Sequence, residues 1–79
     1  MPWRVERHGS FLDITITAPM SREDEWEALM AAIHENLEPT PSAITLPSEI
    51  EGATEMDVKM LAMLWNVLGC FKIPLISDA

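Results

Sequence analysis

Few side chains in this sequence could do chemistry, and their spacing sets what that chemistry would be. His8, His34 and Cys70 are its only imidazoles and thiol. No two of them stand at the short intervals from which one turn or one helix face grips zinc, so a metal site would need tertiary coincidence. Surface histidines and a core thiol are the simpler expectation. Ser10, Ser21, Thr54 and Ser77 supply hydroxyls, but none sits in a nucleophile elbow. Gly9, Gly52 and Gly69 lie too far apart to form a phosphate-binding loop. The acidic pairs Glu23/Glu27, Glu49/Glu51 and Glu55/Asp57 would need two carboxyls in different environments of one cleft for acid–base work. Each pair falls on an expected turn or outer helix face, so a solvated surface is the better reading. No catalytic residue, metal or cofactor is expected. A site built across a dimer from His8 and Asp13 is the one enzymatic arrangement left open.

The totals narrow the classes further. Seventy-nine residues are expected to form a single small α/β domain, near the lower size at which one core holds unaided. A hydrophobic content of 48% is that of a globular chain. The single cysteine excludes an internal disulfide and fits a reducing compartment. Self-association is then the most available source of extra burial. The net charge of −8, from 13 acids against 5 bases, argues against nucleic acid and anionic membrane surfaces as partners. No signal peptide or bilayer-spanning stretch is read in the sequence, and the cytoplasm is the expected location.

The elements that must position these residues are legible in outline. Leu12, Ile14 and Ile16 alternate with Asp13, Thr15 and Thr17, the period of a half-buried strand. Trp3 and Val5 repeat the pattern more weakly, and His8-Gly9-Ser10 reads as the hairpin turn between them. Pro19 ends the second strand. Ser21 with Asp24 has the spacing of a capping box, and Glu23, Asp24 and Glu25 place charge where the helix dipole favours it. Trp26, Leu29, Met30, Ile33 and Leu37 then form one apolar stripe, with Glu27, His34, Glu35 and Glu38 facing outward. Pro39 and Pro41 close the helix.

The segment SAITLP reads as a short third strand, and SEIEGATEM as a loop. Thr54 and Asp57 again have cap spacing, so the second helix is expected from Glu55 to Leu68, with Gly69 as a left-handed C-cap. In FKIPLISDA, Pro74 implies an edge strand or one that begins after the proline. The order is β-β-α-β-α-β. Crossovers after the second and third strands make part of the sheet parallel, giving a small mixed sheet. The helices are expected mainly on one face, which would leave Asp13, Thr15 and Thr17 on the other.

The second helix carries more apolar surface than one contact needs. Glu55, Lys59, Ala62, Asn66 and Gly69 share one polar or small stripe. Val58, Met60, Leu61, Met63, Leu64, Trp65, Val67 and Leu68 occupy the rest. A one-sided surface helix needs an apolar arc of about a hundred degrees, and this arc is roughly twice as wide. Methionine-rich surfaces adapt to several partners. Met60, Met63, Leu64 and Val67 are therefore expected at an interface. The three tryptophans are expected as core anchors, although Trp3 suits an interface too.

The arrangement resembles the STAS domain of anti-sigma-factor antagonists and sulfate-transporter tails. In that family a strand ending in aspartate leads to an Asp-Ser-Ser-Gly turn, an apolar helix, a glycine and another apolar strand. ITLP stands for the strand end, with Pro47 in the aspartate's place, and TEMD at residues 54–57 for the turn. VKMLAMLWNVLG and CFKIPLIS resemble the helix and the strand after it. No residue of the signature turn is kept. Glu55 stands where the family has its phosphorylated serine, and the sequence stops short of the family's last helix. The resemblance thus implies a fold and a habit of docking proteins, not a phospho-switch. Together with the wide apolar arc and the small chain, it leads to an expected interface on Thr54, Glu55, Met56, Lys59, Met60, Met63, Leu64 and Val67, with a second copy (a homodimer) or another protein as partner. The alternative is an apolar ligand or lipid held between the sheet and the methionine-rich helix.

Overall fold

Strand alternation and helical periodicity are realised together in a computed structural model, which describes residues 2–20 and 22–77. Strands β1 (Trp3–His8) and β2 (Phe11–Ile16) form an antiparallel hairpin across Gly9-Ser10. Helix α1 (Glu23–Glu35), strand β3 (Ala43–Leu46), helix α2 (Glu55–Gly69) and strand β4 (Leu75–Ser77) follow. The four strands make one mixed sheet in the order β1-β2-β3-β4, with β2/β3 and β3/β4 parallel. The chain is thus a small α/β protein of order β-β-α-β-α-β. Gly9 has a φ of 62°, which a residue without a side chain adopts freely. The last strand begins after Pro74, where the missing N–H does no harm.

Consecutive parallel strands step across the sheet in one direction, so right-handed crossovers place both helices on one face. The burial pattern agrees. Leu12, Ile14, Ile16, Ile44 and Leu46 are buried under the helices, while Asp13, Thr15 and Thr45, pointing the other way, are only half-buried. In β1, register pairs Trp3 with Ile16 and Val5 with Ile14, which extends the apolar face. From α1 come Trp26, Leu29 and Ile33, and from α2 Leu61, Leu64 and Leu68, all in the same cluster. These side chains pack together between the sheet and the helices, and a depression of about 380 Å³ lies beside α2, lined by Ile50, Ala53, Leu61 and Trp65 among others.

Two details differ from the expectations. Gly69 is not a left-handed cap: α2 includes it, and Cys70 follows with right-handed backbone. Single-turn hydrogen bonds to Val67, Leu68 and Gly69 carry the chain on, and the positive φ falls on Lys72, at 58°. Cys70 is exposed rather than a core thiol, its Sγ directed at the Asn66 carbonyl. The cap expected at Ser21 lies outside the described residues. Arg22 precedes α1, and its guanidinium pairs with Asp24 at 2.9 Å. The link after α1 is tied to the hairpin by Arg7, whose Nη1 donates to the carbonyls of Asn36 and Pro39.

Adjacent residues of α2 should therefore respond very differently to truncation. Leu64→Ala is expected to lower unfolding free energy by about 2–5 kcal/mol, and Met63→Ala by less than about 0.5 kcal/mol. Urea titration followed by tryptophan fluorescence measures both. Equal losses would contradict this orientation of α2.

Candidate functional site

The site is built from the turn before α2, because that turn fixes where the helix starts and which flank it shows. Pro47 ends β3, and its carbonyl accepts from the Trp65 indole N–H at 2.9 Å, which ties the loop to the helix. The loop closes through Ala53 N–H to the Ile50 carbonyl and passes Gly52, whose φ is 72°. Thr54 is the N-cap. Its Oγ1 accepts from the Asp57 N–H, while its own N–H donates to Asp57 Oδ2 at 3.0 Å. This is the reciprocal capping box that the spacing predicts.

Asp57 does more than cap. Its Oδ1 accepts from the Met20 N–H and from the Trp26 indole N–H, both at 3.1 Å. The carboxylate is completely buried, contrary to the expectation that Glu55/Asp57 is a solvated pair. Burial by itself pushes such a carboxyl up. The hydrogen bonds from Thr54, Trp26 and Met20 favour the charged form, and together they outweigh burial and hold Asp57 below the ordinary aspartate range. Its place in the first turn of α2, among unpaired helix N–H groups, favours the same charge. The sequence signal for the box was the Thr54/Asp57 interval. Nothing local announces Met20 and Trp26, which stand far away in the chain.

The expected interface residues divide into four groups. Thr54, Glu55 and Lys59 are exposed around the helix start. Met56, Met63 and Val67 are exposed apolar residues, the last two at 42% and 49%. Met60 is half-buried and packs against the core. Leu64 departs from the expectation: at 3% exposure it belongs to the core, because it shares the inward face of α2 with Leu61 and Leu68. Val58, at 59% exposure on the opposite flank, and Phe71, at 52% just past the helix, lie outside the expected set and are exposed as well.

Met56, Met60, Met63 and Val67 succeed one another at helical steps along α2, and Met56, Met60 and Val67 line the side toward α1. The two helices leave a groove there. Near their N-termini Glu23 of α1 stands across from Glu55, Met56, Lys59 and Met60. Further along, Met30, His34 and Leu37 face Val67 and Phe71 over a floor of buried leucine and isoleucine, in a depression of about 160 Å³. Such a surface can take up apolar side chains; it holds no constellation for bond chemistry.

The uncovered sheet face is mixed: polar residues stand beside Phe11 and Ile76, which are exposed at 53% and 49%. His8 Nε2 lies 3.5 Å from Asp13 Oδ2 and 3.8 Å from Glu6 Oε2. The Thr45 hydroxyl donates to Asp13 Oδ1. His8 and Asp13 thus meet within one chain, whereas the enzymatic arrangement left open by the sequence was one built across a dimer. The Thr45 hydroxyl is bonded to the carboxylate, however, and not to an imidazole that could take its proton. Among the described residues no group of three or more His, Cys, Asp or Glu side chains is placed to hold a metal ion, and no helix is long and apolar enough to cross a membrane.

Replacing the clamp carboxylate leaves buried donors without a charged acceptor. Asp57→Asn is expected to cost about 1–3 kcal/mol at neutral pH. Because the folded carboxyl titrates below its unfolded value, the ionic contribution is complete above about pH 4 and fades as pH falls through the folded pKa. Urea unfolding across an acid series should show the difference between wild type and variant shrinking only below that pH. A gap that stays constant down to the most acid folded sample would contradict the assignment.

Compared with protein-family models, curated proteins and solved structures, the chain matches none.

Proposed function

We propose that this protein is a non-catalytic interaction domain of STAS-like design, docking other protein surface through α2 and the turn before it. The observation that carries the reading is the stripe of Met56, Met63 and Val67, exposed on a helix whose opposite face already fills the core. Isolated exposed apolar residues are ordinary, but a contiguous row on one flank is the usual mark of an interface. Phe71 continues the row beyond the helix end. The strand and helix order agrees with the STAS resemblance, and so does a tightly fixed turn at the start of the helix after β3. With Glu55 in place of a serine, docking here has no phosphorylation step at that position.

Fixation of the turn matters to such a role. Docking onto a rigid surface loses less conformational entropy than docking onto a loop that must first order. The capping box and the Asp57 clamp hold Thr54, Glu55 and Met56 in place before any partner arrives. A homodimer is one form of this reading, with the second copy supplying the covering surface.

Sedimentation over a range of micromolar concentrations, combined with binding of a polarity-sensitive dye, tests the proposal. Wild type is expected to self-associate or to bind dye, and Met63→Glu with Val67→Glu to abolish whichever occurs while leaving the fold intact. A wild-type monomer that binds no dye would remove the docking surface from the account.

A further inference from the structure

The charge around the α1–α2 groove identifies its occupant more closely than apolar exposure does. On the α1 wall, Glu23 stands with Glu55, Met56, Lys59 and Met60 of α2 at one end, and Met30 and His34 stand with Val67 and Phe71 at the other; exposed Glu27 lies between the two ends in helical step. The wall therefore carries carboxylates over its first turns, and beyond them Met30, His34 and Leu37. Glu55 adds a further carboxylate at the start of α2. The outer helix surfaces carry Asp24 and Glu35 as well, and Lys59 is the only lysine or arginine in either helix. The other basic residues lie elsewhere: Arg4 and Arg7 on β1, Arg22 before α1, and Lys72 beyond α2.

We infer that the groove binds a basic amphipathic helix of another protein, an inference that rests on the docking role proposed above. Three features of the groove match such a segment. Its methionines and valine repeat at the spacing of helical anchors, so an apolar face with residues at i, i+3 or i+4 and i+7 meets them in turn. Unbranched methionine side chains adjust to the shape of such anchors. The carboxylates of Glu23 and Glu55 stand beside Met56 and Met60, with Lys59 the single cation among them, and Glu27 follows Glu23 one helical step on, where the lysines or arginines flanking an apolar face would lie. Twelve residues from Glu23 to His34 span roughly 17 Å, the length of about three helical turns in the partner.

The same charges weigh against the other occupants. A second copy brings a net charge of −8 and the same acidic wall, and like charges juxtaposed at an interface oppose assembly. An anionic lipid surface is repelled for the same reason.

Fluorescence anisotropy with labelled synthetic peptides tests the inference on the intact chain. One peptide, about four helical turns long, carries leucine and phenylalanine on one face and lysine and arginine beside it. A second has the same composition in scrambled order, and a third has glutamate in place of every basic residue. The first is expected to bind, and the others at least about tenfold more weakly, the loss of one strong interface contact. Val67→Lys and Glu27→Lys, both at exposed positions, should each weaken the first peptide by about tenfold with circular dichroism unchanged. Equal binding of the scrambled peptide would overturn the inference, since charge alone would then suffice. Tighter binding of the glutamate peptide, still sensitive to Val67→Lys, would overturn the basic partner and leave the docking role standing. Failure of all three peptides would also overturn it. In that case, dye binding or self-association lost in the Met63/Val67 double variant preserves docking, and absence of both removes docking too.

Discussion

A single buried carboxylate joins the parts of this molecule that local sequence rules leave separate. Asp57 accepts from Thr54 in its own helix turn, from Met20 in the segment after β2, and from Trp26 in α1. The start of α2 and the start of α1 are therefore held against each other by one charged group. The carboxylate keeps its charge without water because donors from three segments surround it. Among the described residues no buried side-chain nitrogen or oxygen lacks a partner. In a domain with so small a core, an unpaired charge at this point would be a large fraction of total stability.

The clamp also determines what the outer surface looks like. With both helix starts tied together, the inward faces of α1 and α2 close over Leu12, Ile14, Ile44 and Leu46. The remaining flank of α2 is left without cover, and it carries the methionine stripe. Trp65 reinforces the arrangement from the far side by binding the Pro47 carbonyl. The groove between the helices follows from where the two helices are anchored and from which residues fall beside it. Its acidic wall and apolar stripe are properties of surface residues, whereas its shape is a property of the core.

Much of this was legible in the sequence, and the exceptions share a cause. The period of Leu12, Ile14 and Ile16 gives β2 directly, and the Thr54/Asp57 interval gives the capping box, because both signals are local. The wide apolar arc of α2 was equally visible, but a helical wheel does not say which part of an arc a neighbour covers. Leu64 and Met63 are adjacent in sequence and opposite in fate for that reason. Local sequence predicts a solvated Asp57, because its partners Met20 and Trp26 come from other elements. Local sequence predicts Gly69 as the cap, because glycine usually supplies a left-handed residue there. Here single-turn hydrogen bonds carry the chain onward, and the reversal falls on Lys72. Local chemistry predicted the elements; the contacts between them had to be seen.

The coupling between Asp57 and Trp26 is the most direct measure of the clamp. A double-mutant cycle with Trp26→Phe and Asp57→Asn, read by urea unfolding at neutral pH, isolates it from the effects of each substitution alone. The clamp predicts a coupling of at least about 1 kcal/mol, since the indole N–H donates to a buried charged acceptor. Additive losses, with a coupling indistinguishable from zero, would contradict the claim that this carboxylate holds the two helix starts together.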